Sequence, residues 1–399
     1  MKILLWHGYL LGGTGSNVYT RSLARAWSRL GHDVTVFCQE PHPERYDLGG
    51  ATVIRPDIGR ILPVFILDRY EGLEARRVQD LSWEERRRFV EANAAALREH
   101  LPADLVFTNH LVLGAPVGAA AGVPYAVKAH GSELEFSMRG NEELCAWARE
   151  SLPSARAIFA GSEHIRSVLE EVLGPGDYLE RVHVVPPGVD IDEFRPQPRD
   201  VALAALVAEA ERDPPNPGGR NERLPDEGNA ARLAAFLAGA EPTVVYVGKL
   251  SREKGVDLLL AALERIEARA AGRRVLFTGA LEHRHLVHLF ALADVAVTPS
   301  IFPEAFGMVA AEAAACGAPP LVARHSGLAE IAAGLEAEYP PELRHLASFR
   351  TGDAAELAAR LQAILTLPAD AHRRLREGAR RAAIARWSWE RIAASILSL

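Results

Sequence analysis

The 399-residue sequence predicts an α/β protein of two domains, each a parallel sheet with helices on both faces, the two sheets facing each other across a cleft. Three observations lead there. The length exceeds what one core of roughly 100–200 residues needs. Short apolar runs alternate with amphipathic helical stretches, and right-handed crossovers then place helices on both sides of a sheet. The alternation also occurs twice, as two series separated by a Pro-Pro-Gly turn and a long polar interruption.

The first series opens with the apolar run Lys2–Trp6, a glycine-rich loop, a helix over residues 15–30 and a strand over 33–38, which together make a βαβ unit. Further strands are expected at 104–108, 125–129, 157–160 and 182–185. The turn Pro186-Pro187-Gly188 closes a first domain over residues 1–190. Residues 199–240 carry two alanine-rich helical pieces around a segment rich in Pro, Gly, Asn and charge, and read as a surface insertion in a second domain spanning 191–384. The second series has strands at 243–247, 275–278, 295–298 and 320–323. The tail, 385–399, is expected to be a helix whose Trp387 and Trp389 dock it on the first domain.

With 48% hydrophobic residues and no low-complexity tract, the chain is expected to fold throughout. A formal net charge of −7 gives no global footprint for nucleic-acid binding. Cys38, Cys145 and Cys316 lie far apart among small or apolar neighbours and read as buried, reduced thiols of a cytoplasmic protein. The N-terminus reads as a first strand, not a signal peptide. The longest apolar stretch, 111–127, is broken by glycines and prolines and falls short of the roughly 20 residues a membrane span needs. The basic and aromatic stretch 69–89, with Arg76, Arg77, Arg86, Arg87 and Arg88, is diluted by Glu71, Glu74, Glu84 and Glu85; a solvated helix face is favoured over peripheral membrane contact.

Three motifs carry chemistry. The loop Gly12-Gly13-Thr14-Gly15-Ser16 follows a strand and opens a helix, where backbone N–H groups and the helix dipole favour an anion. Its spacing departs from the G-x-G-x-x-G of a dinucleotide site, which disfavours a dehydrogenase. Gly248-Lys249-Leu250-Ser251-Arg252-Glu253-Lys254-Gly255 puts two lysines at the mouth of a helix, where ammonium groups can neutralise a diphosphate without a metal. The run Phe302-Pro303-Glu304-Ala305-Phe306-Gly307-Met308-Val309-Ala310-Ala311-Glu312 holds two glutamates eight apart. With a helix starting near Gly307, Glu304 precedes it and Glu312 lies about 7–8 Å along its axis. One extended ligand can then meet both carboxylates and the amides of Phe306, Gly307, Met308 and Val309. Finally, His283, His285 and His288 beside Glu282 read as a solvated helix start, and no metal is claimed.

With the glycine loop, the two-lysine loop and the Glu304/Glu312 run, and with His130-Gly131-Ser132-Glu133 after a strand, the chain resembles glycosyltransferase family 4 over nearly its whole length. That family comprises retaining enzymes of the GT-B architecture, two Rossmann-like domains. The resemblance implies that Lys249 and Lys254 hold the diphosphate of a nucleotide sugar, Glu304 a sugar hydroxyl and Glu312 the ribose. It gives the amides of residues 306–309, with Gly12, Gly13 and Gly248, to donor binding, and turns His130 to the donor sugar from the opposite domain. No cofactor is implied beyond the nucleotide-diphosphate sugar itself, and the acceptor is a hydroxyl of a soluble sugar, a glycan or a lipid-linked sugar. Two departures stand out. Lysine occupies position 249 where the family usually has arginine, which loses a planar two-pronged donor. The helix after Lys254, expected to run to about Ala271, is followed almost directly by Arg273-Arg274-Val275, so that one βα unit of the second domain is missing. The alternatives are a catalytically impaired sugar-nucleotide-binding scaffold, which binds without turnover, and a nucleotide-sugar epimerase of the same architecture, which converts donor with no acceptor.

Overall fold

The computed structural model describes residues 1–67, 70–239, 241–266 and 274–399. The chain forms two compact units, one of Met1–Gly188 with Trp389–Leu399 and the other of Val189–Ser388.

In the first unit the strands are β1 (Lys2–Trp6), β2 (Asp33–Phe37), β3 (Thr52–Ile54), β4 (Ile61–Val64), β5 (Glu74–Arg77), β6 (Leu105–Asn109), β7 (Tyr125–Lys128), β8 (Ala155–Ala160) and β9 (Val182–Val184). Seven of them form one parallel sheet in the order β3-β2-β1-β6-β7-β8-β9, while β4 and β5 pair separately. Successive side chains of β1 leave on opposite faces, Leu4 and Trp6 into one core and Ile3 and Leu5 into the other, so both faces are buried. The sheet order reverses between β1 and β6, the place where open α/β sheets leave a crevice beyond their strand ends. The apolar stretch after β6 becomes the buried helix Leu111–Ala120. The three cysteines are free and buried.

The helical tail divides. Trp387 stays in the second unit, beside Phe306 and over Gly334, and does not anchor the tail on the first domain. Trp389 begins the helix Trp389–Leu397, whose Ile392, Ala393 and Ile396 are buried in the first unit. Its ring lies 5.3 Å from that of Tyr19, and a Cβ on Gly188 would come within 2.6 Å of it.

The second unit has a four-stranded parallel sheet, β10 (Val244–Val245), β11 (Val295–Thr298), β12 (Pro320–Ala323) and β13 (Ser348–Phe349), in that order. The strand expected at 275–278 does not form. Its backbone bonds the 224–232 segment instead: the Asp226 N–H donates to Thr278 O at 2.8 Å, Asn229 Nδ2 to the same oxygen at 2.7 Å and the Ala280 N–H to Leu224 O at 3.2 Å. Val275 and Phe277 are left about half exposed. The physical reason is pairing: this run takes its hydrogen-bond partners from the insertion, and β10 stands at the sheet edge among the described residues. The helix after Lys254 is Val256–Arg265, shorter than expected; the remainder, to Ala271, falls outside the described residues.

Two further expectations are corrected. The alanine-rich pieces of the insertion are not surface decoration. Helices Arg199–Glu211 and Asn229–Leu237 align Ala202, Leu206 and Ala210, four residues apart, against Leu233, Leu237 and Leu292 in a core of their own. In the 69–89 stretch, Arg86 is buried rather than solvated, donating to Val78 O and to Glu143, while Arg76, Arg77 and Arg88 pair with Glu85, Asp80 and Glu84. Arg69 lies outside the described residues.

Candidate functional site

In the first unit the polar residues gather beyond the ends of β1, β6 and β7, adjacent strands of the sheet. His7 follows β1, His110 follows β6 and His130 follows β7. The His110 and His130 rings are 4.5 Å apart and those of His7 and His110 5.7 Å. His7 Nε2 meets Asn17 Oδ1 at 2.8 Å, and the amide of Asn17 donates to Gly12 O, so the predicted glycine loop is tied to the cluster. Gly13 has φ 90°, a left-handed backbone that favours glycine, and a Cβ on Gly12 would meet the Tyr46 hydroxyl at 2.4 Å. Helix Gly15–Arg29 starts just beyond.

His130 holds Asn109 Oδ1 at 2.9 Å through Nε2 and stacks edge-on against Tyr19. Burial, then the charge of Lys128, then His7, keep its imidazole well below the usual histidine range. Lys128 itself is buried, donates to Val185 O at 2.8 Å and lies 5.2 Å above the Tyr19 ring; burial lowers it to about 7. His7 falls to about 4, again by burial. Three imidazoles this close, with a buried ammonium, are therefore held neutral by desolvation and mutual repulsion.

Glu133 completes this cluster. Its carboxylate accepts the His130 N–H at 2.9 Å and the Val112 N–H at 3.0 Å, capping helix Leu111–Ala120 while fixing the backbone of His130. Burial raises it to about 7, against backbone N–H groups that favour its charged form. Folded, the carboxyl keeps its proton up to about 7, whereas unfolded it loses it near 4.5. The folded chain thus binds more protons in that window, and this contribution to stability, full below 4.5, is lost as pH rises to 7, by on the order of 1.4 kcal/mol per pH unit at most. Glu133→Gln is expected to remove the effect. In urea unfolding at about pH 5 and pH 7, wild type loses stability relative to the variant as pH rises; a pH-independent or reversed difference contradicts it.

In the second unit the predicted residues follow β10 and β11, which are neighbours in the sheet. Gly248 and Lys249 are exposed, braced by the Tyr246 hydroxyl donating to Lys249 O at 2.7 Å. Lys254 lies in the turn before helix Val256–Arg265 and its Nζ meets Glu304 Oε1 at 2.6 Å. Glu304 sits in the loop after β11; Gly307, at φ 119°, is the N-cap of helix Met308–Ala315, so Met308 and Val309 supply first-turn amides. Phe306 is buried edge-on against Trp387 at 6.1 Å. Glu312 is buried rather than on a solvated face, and accepts from His283 Nε2 at 3.1 Å. Lys254 and Glu304 are thus brought into contact and Glu312 lies about one turn into the helix that Gly307 caps, while Lys249 is exposed in its loop.

The expected solvated histidines are instead anchors. His285 is fully buried with Nε2 3.0 Å from Asp213 Oδ1, Arg284 bridges Glu209 and Asp213, and His288 bonds Gln197. No cluster of three or more His, Cys, Asp or Glu side chains suited to a metal ion occurs among the described residues. No helix among them is long and apolar enough to cross a membrane.

Sequence reasoning missed His7, His110 and Lys128 in the first unit and His325 and Ser326 in the second; it named Glu133 without a role and read His283, which meets Glu312, as solvated. Some signals were present. Lys128 interrupts an apolar strand, and His7 and His110 sit immediately after strand ends. His110 also has φ 70°, and neither ring nitrogen finds a hydrogen-bond partner among the described residues.

Two family models match the chain: Glycosyltransferase Family 4 over residues 13–193 and Glycosyl transferases group 1 over 264–382. A D-inositol 3-phosphate glycosyltransferase of Xylanimonas cellulosilytica is 28% identical over 363 residues, 79% of this chain and 76% of the relative. Among solved structures, Anabaena Alr3699/HepE in complex with UDP and glucose superposes with a TM-score of 0.67 at 18% identity, over 99% of this chain and 98% of that one. Sucrose-phosphate synthase of Thermosynechococcus elongatus gives 0.62 at 22%, over 100% and 97%. At these identities the structural likenesses establish the fold, two Rossmann-like α/β domains of the GT-B kind.

Proposed function

Because this chain is a glycosyltransferase of the family 4 type, we propose that it moves a hexosyl group from a nucleotide-diphosphate sugar to a hydroxyl acceptor, with retention at the anomeric carbon and without a metal ion. The observation that carries the reading is the 2.6 Å contact of Lys254 with Glu304 at adjacent strand ends, with Glu312 further along the helix that Gly307 caps. Lys254, with Lys249 as a second and more exposed cation, takes the place of a metal at the diphosphate. As the bond from the anomeric carbon to the diphosphate oxygen breaks, negative charge grows on that oxygen and the ammonium groups stabilise it. The acceptor oxygen bonds to the same face of the sugar, and its proton goes to the departing phosphate. Glu304 accepts from a sugar hydroxyl, Glu312 from the ribose, and the Met308 and Val309 amides donate to the anionic end. His130, held neutral, is a hydrogen-bonding group for the sugar rather than a fixed charge.

UDP and glucose in the Anabaena structure, and inositol phosphate in the relative's name, make a UDP-sugar donor and a polyol or sugar acceptor the first compounds to try. The test is release of free nucleoside diphosphate from UDP-, GDP- and ADP-sugars with acceptor present and EDTA in the buffer. Release from one donor, dependent on acceptor, supports the transferase. Release or interconversion of the sugar without acceptor points to an epimerase. Binding without turnover points to a scaffold, the reading favoured by the two-residue edge strand β10 that carries the Lys249 loop.

A further inference from the structure

Ser326 opens the helix Ser326–Glu338 at φ 44°, a left-handed backbone that a residue with a Cβ rarely adopts. Such strain persists where the surroundings hold it in place. Here they do so through a chain of directional bonds. The ring of His325 must donate through Nε2, because its partner at 2.7 Å is the carbonyl oxygen of Ser300. In the neutral ring Nδ1 is then an acceptor, and it receives the Ser326 hydroxyl at 3.0 Å. The same hydroxyl oxygen accepts the N–H of Glu304 at 2.9 Å, and the next residue, Gly327, donates its own N–H to Glu304 O at 3.0 Å. The Glu304 main chain is therefore gripped at both its polar groups. A Cβ on Gly327 would fall 2.5 Å from Phe306 Cα, so the two loops run in direct contact.

The far end of the chain reaches Lys254. Ser300 is buried, and its hydroxyl lies 3.2 Å from Glu253 O and 2.9 Å from Phe302 O. The N–H groups of Ile301 and Phe302 donate to that same Glu253 oxygen at 2.9 and 3.1 Å. Glu253 immediately precedes Lys254. The loops that follow β10, β11 and β12 are thereby laced together through residues next to the Lys254–Glu304 pair.

We propose that His325 and Ser326 are positioning residues that set Glu304 against Lys254, the left-handed backbone at Ser326 being what brings its hydroxyl under the Glu304 amide. The proposal rests on the reading of Glu304 and Lys254 as donor-site residues. Ser326→Ala removes the hydroxyl and keeps the strain, whereas Ser326→Gly removes the hydroxyl and relieves the strain. Donor kcat and KM, thermal midpoint, and hydrogen exchange at the Glu304 amide are measured for both and for wild type. The expected result is a kcat about ten-fold lower in both variants with KM within about three-fold. Glu304 exchange is expected to be about ten-fold faster in both, with a midpoint at or above wild type for the glycine variant and below it for the alanine variant. A glycine variant with wild-type kcat and wild-type exchange overturns the proposal, as does exchange unchanged in both. Faster exchange with unchanged kcat leaves the clamp standing and rejects Glu304 as a donor residue, and Glu304→Gln with full turnover reports that second failure independently.

Discussion

Replacing Lys254 with alanine is expected to lower kcat/KM for the nucleotide-sugar donor by about two to three powers of ten, mostly in kcat. A charge-assisted bond contributes about 1.5–3 kcal/mol, and each 1.4 kcal/mol lost from the transition state alone is roughly a factor of ten. A second effect adds to the first. Lys254 is 2.6 Å from Glu304, so its removal also leaves that carboxylate unneutralised beside a diphosphate. Lys254→Arg keeps the charge and should recover part of the loss, limited by the different shape of the guanidinium. Steady-state kinetics on purified variants check this; a fall in kcat/KM smaller than about five-fold for the alanine variant removes Lys254 from the reaction.

Glu304→Gln is the second large effect, and its sign differs between turnover and binding. The amide keeps the shape and loses the charge, so the bond to a sugar hydroxyl weakens and kcat is expected to fall by about ten- to hundred-fold. Lys254 is at the same time released from its carboxylate, and free nucleoside diphosphate should bind about three- to ten-fold more tightly, because one negative charge near the phosphates has gone. Calorimetric titration of the nucleotide beside the kinetics measures both. Weaker nucleotide binding would mean that Glu304 touches the nucleotide itself. In the double variant with Lys254→Ala the losses should be less than additive, since the two side chains act as a pair.

What could be read in advance follows from how each feature is encoded. Lys2–Trp6, Val295–Thr298 and Pro320–Ala323 are short apolar runs buried on both faces, and the residues themselves carry that signal. The run at 275–278 has the same look, yet a strand is defined by its partner, and here the partner is the insertion rather than the sheet. Lys254 and Glu304 were each legible as strand-end residues, but their contact was not, because the sequence sets a strand at 275–278 between theirs and only the structure makes β10 and β11 neighbours. His283 reaching Glu312, and His325–Ser326 reaching Glu304, were not legible; they depend on which loops the third dimension brings together across 20 residues or more. Ser326 was hidden for a further reason, since a left-handed backbone is announced in sequence by glycine and here the position holds serine. The neutral histidine cluster was half legible. Strand-end histidines can be listed from sequence, but the burial that discharges them cannot.

The measurement that tests the central claim most directly is proton NMR of a single reaction containing the accepted donor, its acceptor and EDTA, followed through the anomeric signals. The account predicts that the donor signal is replaced, in step with free nucleoside diphosphate, by a product signal of the same anomeric configuration, and that Lys254→Ala and Glu304→Gln slow both together. A product of opposite configuration, or turnover that needs an added divalent ion, would contradict it.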